Sequence, residues 1–373
     1  MTEVWDVVVV GAGPAGASAA RTAAAAGASV LILEREELPR YKLCGGGLLG
    51  SSLRALPPDF RLEPRDVIDA VTFSYRGKLT RTRRRDGCLR MIYRRDFDAA
   101  LTERAQRAGA QLRRATVRGV EQSGPTATVA TDTGAVRARV VVGADGSASR
   151  VARFVAADYA QVDVGLEVEI EAPDERYAHR VHLDWGPLPG SYGWVFPKGD
   201  TLTVGVIADR RFGAAAKTYL ADFIGQLGLT RARQRHSGGH LTRCRRDDSP
   251  LGRGRVLLAG DAAGLLEPWT REGISFALRS GALAGASALR ALHDPGQAQR
   301  EYHDAIESEL GREMRAGRLL LQAYQRHPLA FHTAAAATPP AWRAFTAVTA
   351  GQRTLADYTA RRSVAGGLRR LAR

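Results

Sequence analysis

A glycine-rich turn near the start of the chain has the residue types and spacing that hold a dinucleotide. The sequence GAGPAG at residues 11–16 follows an apolar run and precedes an alanine-rich helical pattern. Glycines in such a turn let the backbone approach a pyrophosphate, which then meets the N-terminus of the helix. Glu34 ends the next apolar run, where a carboxylate accepts hydrogen bonds from ribose hydroxyls. The spacing predicts a dinucleotide site formed by Gly11, Gly13, Ala15, Gly16, Glu34 and Arg35.

Two later turns also follow apolar runs and carry an aspartate. VVGADGS at 141–147 contains Asp145, and LLAGDAAG at 257–264 contains Gly260 and Asp261. Taken singly, each turn is also typical of an ordinary βα unit. In this order, the three turns resemble those of FAD-dependent oxidoreductases of the para-hydroxybenzoate hydroxylase type. The resemblance implies FAD as the cofactor, with Gly260 and Asp261 at the flavin ribitol and Asp145 near the phosphates.

An arginine pair between the first two turns adds to this resemblance. In RRDFD at 94–98, Arg94 matches the Arg-x-x-Phe-Asp element that lies at the FAD pyrophosphate in that family. Arg95 gives an alternative register. The segment 96–108 is predicted to be helical because its apolar residues share one face, so both arginines precede a helix.

Three further motifs narrow the resemblance to one family. PRYKLCGGG at 39–47 closely resembles the PxYxxCGGG segment of the geranylgeranyl reductase family, and YGWVFPK at 192–198 matches its YxWxFPK motif. EPWTREGI at 267–274 resembles the family's PxxGEGI turn, with Arg271 where members commonly have glycine. The resemblance covers about residues 1–295 and implies reduction of isoprenoid C=C bonds. It places Gly273 and Ile274 at the flavin, where a cation at Arg271 would narrow the pocket or contact a polar head group.

The CGGG loop has residue types suited to chemistry at a flavin. Gly45 and Gly46 would let the backbone approach the isoalloxazine ring, and the resemblance places Cys44 beside that ring. A thiol with an ordinary pKa of about 8.5 is mostly protonated at pH 7 and relays a proton, although it is a weak acid for an isolated alkene. We therefore assign catalysis to Cys44, Gly45 and Gly46, and flavin contact to Cys44 and Gly45. A plain loop with a packed thiol is the alternative interpretation.

Alternating aromatic residues predict a wall for an apolar substrate. Tyr192, Trp194 and Phe196 fall on one side of a predicted strand, and such a face suits a prenyl chain, which offers no hydrogen bonds. Tyr41 and Trp269 are assigned to the same pocket. Ordinary sheet core is the alternative.

The elements that must position these residues follow from the hydrophobic pattern. An apolar run, the helical segment 14–26 and a second apolar run form a βαβ start. Alternation from about 161 to 203 indicates antiparallel strands. The expected fold is α/β, a Rossmann-like FAD-binding domain of the glutathione-reductase-2 type interrupted by a mostly antiparallel substrate sheet, with a helical C-terminal region. The predicted boundaries are 1–158 and 246–295 for FAD binding, 159–245 for the sheet, with 67–92 a candidate to join it, and 296–373 for the helices.

Composition excludes several classes of protein. Of 373 residues, 45% are hydrophobic and 25% are charged, as in globular proteins. The net charge of +15 comes almost entirely from arginine and fits either codon bias or a basic face for an anionic lipid, a phosphate or a nucleic acid. Three separated cysteines suggest neither a disulfide scaffold nor a metal site. With no secretory start and no long uncharged apolar window, we expect a cytoplasmic protein, peripheral to a membrane, with no nucleic-acid partner.

Three functions compete at this point. The first is an FAD-dependent reductase of a prenylated substrate by hydride from flavin N5 plus a proton, with NADPH or a ferredoxin as electron donor. The second is a flavin-dependent monooxygenase or halogenase. Halogenases carry a related WxWxIP motif, whereas YGWVFPK favours the reductase, and flavin hydroxylases generally lack the CGGG loop. The third is a flavoprotein that only carries electrons or binds lipid. The substrate, the number of bonds reduced and the oligomeric state stay open.

Overall fold

The computed structural model describes residues 3–171 and 175–372, and within these ranges it contains sixteen strands and twelve α-helices. The strands, in chain order, are β1 Val4–Val10, β2 Val30–Glu34, β3 Gly47–Leu48, β4 Asp66–Tyr75, β5 Lys78–Met91, β6 Gln111–Arg114, β7 Val117–Ser123, β8 Thr126–Thr131, β9 Gly134–Gly143, β10 Tyr159–Glu171, β11 Arg180–Trp185, β12 Tyr192–Pro197, β13 Thr201–Asp209, β14 Gln234–Arg245, β15 Gly252–Arg253 and β16 Val256–Leu258. The helices are α1 Pro14–Ala25, α2 Gly50–Ala55, α3 Arg94–Arg107, α4 Val151–Val155, α5 Gly213–Gln226, α6 Ile274–Ala291, α7 Pro295–Ile306, α8 Arg312–Arg326, α9 Pro328–Ala337, α10 Pro339–Thr349, α11 Leu355–Thr359 and α12 Arg362–Leu371.

The first sheet has a parallel centre, in the order β16-β9-β1-β2-β6, with β15 antiparallel at one edge and the β7–β8 hairpin attached to β9. Strand β1 is a run of valines because both of its faces are buried, as parallel strands require. Helix α1 starts at Pro14, which suits a first helical turn. It packs closely on α6, where a Cβ at Gly281 would lie 2.2 Å from the Ala15 carbonyl oxygen. This packing fixes the turn that precedes α1.

The second sheet has the order β14-β10-β13-β12-β11-β4-β5-β3 and is antiparallel except where β4 pairs with β11. Strands β4 and β5 fall within the segment 67–92 and its immediate flank, and they lie in this sheet. Helix α5 and an apolar core cover one face, around Val168, Val204 and Phe223. The alternation of β10 turns acidic side chains to the opposite face. The predicted domain boundaries stay a prediction.

The C-terminal helices α7–α12 follow the first sheet, and α8 and α9 pack beside an aromatic cluster. In this cluster the rings of Trp185 and Trp269 stack with centroids 6.3 Å apart, and Tyr324 and Phe331 contact the same tryptophan, Trp269. Within residues 3–171 and 175–372, none of the helices combines the length and apolar character that a membrane crossing demands.

Candidate active site

The GAGPAG turn joins β1 to α1 and forms an open anion cradle. Gly11 has a φ of +102°, and a Cβ there would lie 2.4 Å from the Ala144 carbonyl oxygen. A Cβ at Gly13, by contrast, would have the Arg40 side chain 3.9 Å away and no closer neighbour in the described chain. In the described ranges no side chain caps α1, so its first N–H groups face this space. These features fit a bound pyrophosphate.

Glu34 lies beside this cradle at the end of β2 and is buried. Its Oε2 accepts a hydrogen bond from the Ala12 amide at 2.8 Å, and its Oε1 accepts one from the Glu36 amide at 3.2 Å. Arg35 is exposed and pairs with Glu36 at 3.7 Å. The structure therefore brings Glu34 to the glycine turn and leaves the Arg35 side chain at the surface.

Arg94 belongs to a buried charge network, whereas Arg95 is exposed. The Arg94 guanidinium donates two hydrogen bonds to Asp98, at 2.8 and 2.9 Å, and Asp98 is fully buried. Burial lowers the pKa of Arg94, but Asp98 and Cys44 beside it outweigh burial and raise that pKa overall. Arg95 bonds to Asp96 with more than half of its side chain in solvent. Of the two arginines that could fill this motif position, only Arg94 has its side chain in the interior.

Arg40 is a residue of this region to which the sequence reasoning gave no role. Its guanidinium lies 3.1 Å from Asp98 and 3.6 Å from Glu34, and it is the nearest neighbour of a Cβ placed at Gly13. It thus joins the predicted ribose carboxylate to the Arg94 network. The available signal was its position inside the PRYKLCGGG motif.

Asp145 uses its carboxylate within its own turn. It accepts hydrogen bonds from the Ser149 hydroxyl at 2.5 Å and from the Arg150 amide at 2.6 Å, just before α4. Its backbone lies against the glycine turn, with its Cα 3.1 Å from a Cβ placed at Gly11. Asp145 therefore supports the cradle through the backbone, and its assignment to cofactor contact stays a prediction.

Asp261 and the start of α6 lie together. Asp261 follows β16, and its Oδ1 would be 3.6 Å from a Cβ at Gly273, the residue that precedes α6. Burial raises the pKa of Asp261, while Lys42 and Arg94 oppose that rise. Helix α6 begins at Ile274 beside this carboxylate. Glu272 accepts a hydrogen bond from the Ser275 amide at 2.8 Å, so Ile274 carries the amide of this first turn that is left to face the site. Gly260, which precedes Asp261, packs against α1, and a Cβ at Gly260 would lie 2.8 Å from the Ala15 side chain.

The CGGG loop is seated directly on the aromatic strand β12. A Cβ at Gly45 would lie 2.5 Å from the Phe196 ring and 3.6 Å from the Trp194 indole nitrogen. Lys198 donates a hydrogen bond to the Cys44 carbonyl oxygen at 2.9 Å. Gly46 has a φ of +75°, and its amide lies 3.4 Å from the Cys44 sulfur. Two motifs about 150 residues apart in sequence thus form one surface.

The predicted substrate residues lie in a row on β12, at a rim and in an aromatic cluster that adjoins the row. Tyr192, Trp194 and Phe196 form a continuous row, with neighbouring ring centroids 5.9 and 6.3 Å apart. Tyr41 is 44% exposed and stacks on His236, so it lies at a rim. Trp269 belongs to the aromatic cluster with Trp185. The structure therefore gathers the three β12 residues, joins Trp269 to them through Trp185, the cross-strand partner of Tyr192, and leaves Tyr41 at the rim.

Arg271 adopts a backbone conformation that favours glycine, with a φ of +56°. Its buried guanidinium lies 3.0 Å from Asp163 and donates to the Trp269 carbonyl oxygen at 2.6 Å. It also lines a cavity of about 530 Å³ with Arg211 and Arg318. The ion pair and the carbonyl bond offset the strain of a non-glycine residue at this position. Contact with a polar head group stays a prediction.

Comparison with known proteins assigns the class. Residues 6–167 match the model of the FAD-dependent oxidoreductase family, and together with the cradle and Asp261 this match defines an FAD-dependent oxidoreductase. The digeranylgeranylglycerophospholipid reductase 3 of Methanosphaera stadtmanae is 31% identical over 83% of this chain and 84% of its own length. The geranylgeranyl diphosphate reductase of Rhodobacter capsulatus is 32% identical over 76% and 75%. The chain belongs to the geranylgeranyl reductase family.

A solved structure supports the fold. The geranylgeranyl bacteriochlorophyll reductase-like protein of Thermoplasma acidophilum superimposes with a TM-score of 0.82 at 22% identity, covering 100% of both chains. The predicted α/β fold class with a helical C-terminal region is therefore confirmed, as is the predicted dependence on FAD.

Proposed function

We propose that this enzyme saturates C=C bonds in a geranylgeranyl-type isoprenoid. The observation that carries the proposal is the contact between the CGGG loop and β12, where the Phe196 ring occupies the space that a side chain at position 45 would need. The names of the relatives, which are reductases of geranylgeranyl diphosphate and of digeranylgeranylglycerophospholipid, support the same substrate class. Bound flavin, once reduced, supplies hydride from N5.

The residues of the chain divide the remaining work. Helix α1 and the glycine turn bind the pyrophosphate, and Glu34 binds ribose. Asp261 binds the ribitol, while the positive end of α6 holds the pyrimidine side of the ring. Gly45 lets the loop lie on the Phe196 ring and Gly46 lets it approach the Ile92 backbone, and the loop so placed would hold Cys44 beside the flavin. Trp194 and Phe196 form a wall against which an apolar substrate chain lies. The bound chain excludes water from the aromatic rings.

We further infer peripheral contact with anionic membranes from the cytoplasmic side. Helix α12 leaves Val364 and Leu371 partly exposed and has Arg369 and Arg370 in its last turn. An amphipathic basic helix of this kind lies in the interface of an anionic bilayer, which suits a lipid-like substrate. NADPH or a ferredoxin is proposed as the electron donor.

Mass spectrometry of lipids tests the proposal. Cells that express the chain are compared with cells that express the Gly13→Ala variant, whose cofactor cradle is filled by a methyl group. We expect prenylated lipids heavier by two hydrogens per reduced bond with the unaltered chain only. Identical lipid masses in both cultures, or products that carry added oxygen or halogen, would overturn the reductase assignment.

A further inference from the structure

Strand β10 carries a buried carboxyl group that the proposed function does not use. Glu167 is 1% exposed, and neither of its carboxyl oxygens has a hydrogen-bond partner in the described part of the chain. An isolated buried carboxylate costs far more free energy than a buried neutral group. A carboxyl in this situation therefore either is protonated or has a partner during function.

The residues around Glu167 place it at the substrate side of the second sheet. Gly205 on β13 and Gly238 on β14 are its register partners, so glycine stands on both sides of it. The Trp194 indole lies over Gly205, where a Cβ would be 2.2 Å from the ring. Leu43, the neighbour of Cys44, lies over Gly238 at 3.3 Å. Glu167 is thus covered by the aromatic wall and the CGGG segment.

Other buried polar atoms on the same sheet face also lack partners among the described residues. They belong to strands β12, β13 and β14, and they are the Trp194 Nε1, Thr203 Oγ1, His240 Nδ1 and Thr242 Oγ1 atoms. The opposite face of the same sheet is an apolar core under α5. Unpartnered polar atoms concentrated on one face indicate that this face meets a polar ligand, a proton path or ordered water.

The charged and titratable groups around Glu167 are of both signs. They come from its own strand, from the residue after β12, from the loop before Cys44, from β14 and from α3. They are Glu169, Lys198, Tyr41, Lys42, His240 and Arg94. Burial raises the pKa of Glu167 to about 7, although Lys198 and Lys42 oppose the rise. Burial lowers the pKa of His240 to about 4, so this imidazole is neutral. Both protonation states of Glu167 are therefore populated near neutral pH.

The geometry points to Glu167 as the proton donor for alkene reduction, an assignment that rests on the proposed function. The carboxylic acid gives its proton to one alkene carbon as the π bond breaks, and hydride from reduced flavin adds to the other carbon. Two C–H bonds form, the flavin is oxidised by two electrons, and Glu167 remains as a carboxylate. The carboxylate recovers a proton from solvent before the next turnover. Near neutral pH, a carboxylic acid of this kind is a stronger donor than an ordinary thiol.

Infrared titration of the FAD-loaded protein tests the protonation state without any substrate. The C=O band of a protonated carboxyl is followed in the unaltered protein, in Glu167→Gln and in the matched control Glu169→Gln, which alters a neighbouring acid on the same face. We expect a band that disappears with a midpoint at about pH 7, that persists in the control and that is absent in Glu167→Gln. A Glu167 carboxyl ionised throughout the range from pH 5 to 8 would overturn the inference.

Single-turnover kinetics then test proton donation. Each protein is reduced, mixed anaerobically with geranylgeranyl diphosphate or a geranylgeranylated glycerophospholipid, and followed by flavin reoxidation. We expect Glu167→Gln to retain FAD and to react at least about 100-fold more slowly, Glu167→Asp to recover part of the rate, and the unaltered rate to fall above about pH 7.

Equal rates in Glu167→Gln and the unaltered enzyme would overturn the inference and leave the proposed function intact. An unaltered enzyme that reduces neither probe, while its infrared band still titrates, would instead overturn the proposed function and the inference with it. If Glu167→Gln fails to fold, the pH profile and the Glu167→Asp rate decide the question.

Discussion

The FAD cradle and the inner face of the second sheet, which is the face that carries Glu167 and lies opposite α5, are prepared for ligands in opposite ways. In the cradle, glycines bring backbone amides to an open space, as at Gly13, and buried acids such as Asp98 are paired. On the inner face of the second sheet, side chains such as Glu167 and Thr203 are buried without partners in the described residues. Backbone geometry therefore prepares the cradle for a charged ligand. Unpaired side chains prepare the sheet face for a polar group or a proton.

This difference separates two kinds of mutational effect. Because the cradle depends on close backbone contacts at Gly11 and Gly16, changes at these two glycines should affect folding and FAD occupancy together. Changes on the sheet face should affect pH dependence and reaction rate while FAD stays bound. The following predictions test this separation, from the largest expected effect to the smallest.

The largest effect is expected for Gly16→Ala. A Cβ there would lie 1.8 Å from the Gly11 carbonyl oxygen, so the turn must move and the unfolding free energy should fall by at least about 3 kcal/mol. Thermal unfolding and flavin absorbance measure the two losses. Gly13→Ala is the control, because its Cβ meets open space: it should fold normally and lose only FAD affinity. A Gly16→Ala protein with normal flavin content would contradict the account of the cradle.

Glu167 should make stability depend on pH. Its pKa of about 7 in the folded protein is above the ordinary 4.5, so its contribution is fully present below about pH 4.5 and is lost as pH rises through 7. The shift corresponds to about 3 kcal/mol. Denaturant unfolding at pH 5 and pH 8 measures it, and Glu167→Gln should remove this part of the dependence. The same pH dependence in the variant would show that Glu167 is ionised.

Arg271→Gly should destabilise the protein by about 2 kcal/mol. Removing one partner of a buried ion pair costs about 3–5 kcal/mol, but Gln161 still donates to Asp163, and glycine relieves about 1 kcal/mol of left-handed strain. Chemical denaturation measures the change. Adding Asp163→Asn to the variant should restore much of the loss, and a single variant as stable as the unaltered protein would show that the pair contributes nothing.

Asp261→Ala should weaken FAD binding about tenfold, or about 1–2 kcal/mol, through the loss of hydrogen bonds to the ribitol. Titration of apoprotein with FAD gives the affinity. Asp145→Ala is a useful comparison, because that carboxylate bonds within its own turn and its loss should lower stability more than affinity. The reverse pattern would exchange the two assignments.

Local elements of the first sheet were predictable because glycine and proline mark their ends. The helical segment 14–26 corresponds to α1, Pro14–Ala25, and the apolar runs around it correspond to β1 and β2. The parallel pairing of β4 with β11 was not predictable, because it joins segments about 100 residues apart. No local pattern encodes such a pairing.

The candidate site was predictable in its motifs and less so in its assembly. The GAGPAG, CGGG and YGWVFPK segments gave the cradle and the loop–strand surface. The sequence could not show that Trp269 is stacked on Trp185 by C-terminal helices, or that Arg40 reaches Asp98. Glu167 had a signal, the alternating acids in VDVGLEVEIEA, but its significance depends on the glycines opposite it.

Anaerobic reaction of the purified enzyme tests the central claim most directly. The flavin is reduced chemically, oxygen is removed, geranylgeranyl diphosphate or its glycerophospholipid derivative is added, and the product is analysed by mass spectrometry. The account predicts that the flavin reoxidises and that each reduced bond adds two mass units to the substrate, more slowly in Trp194→Ala at unchanged FAD content. Flavin that reoxidises only after oxygen is admitted, with a product that gains oxygen or halogen, would contradict it.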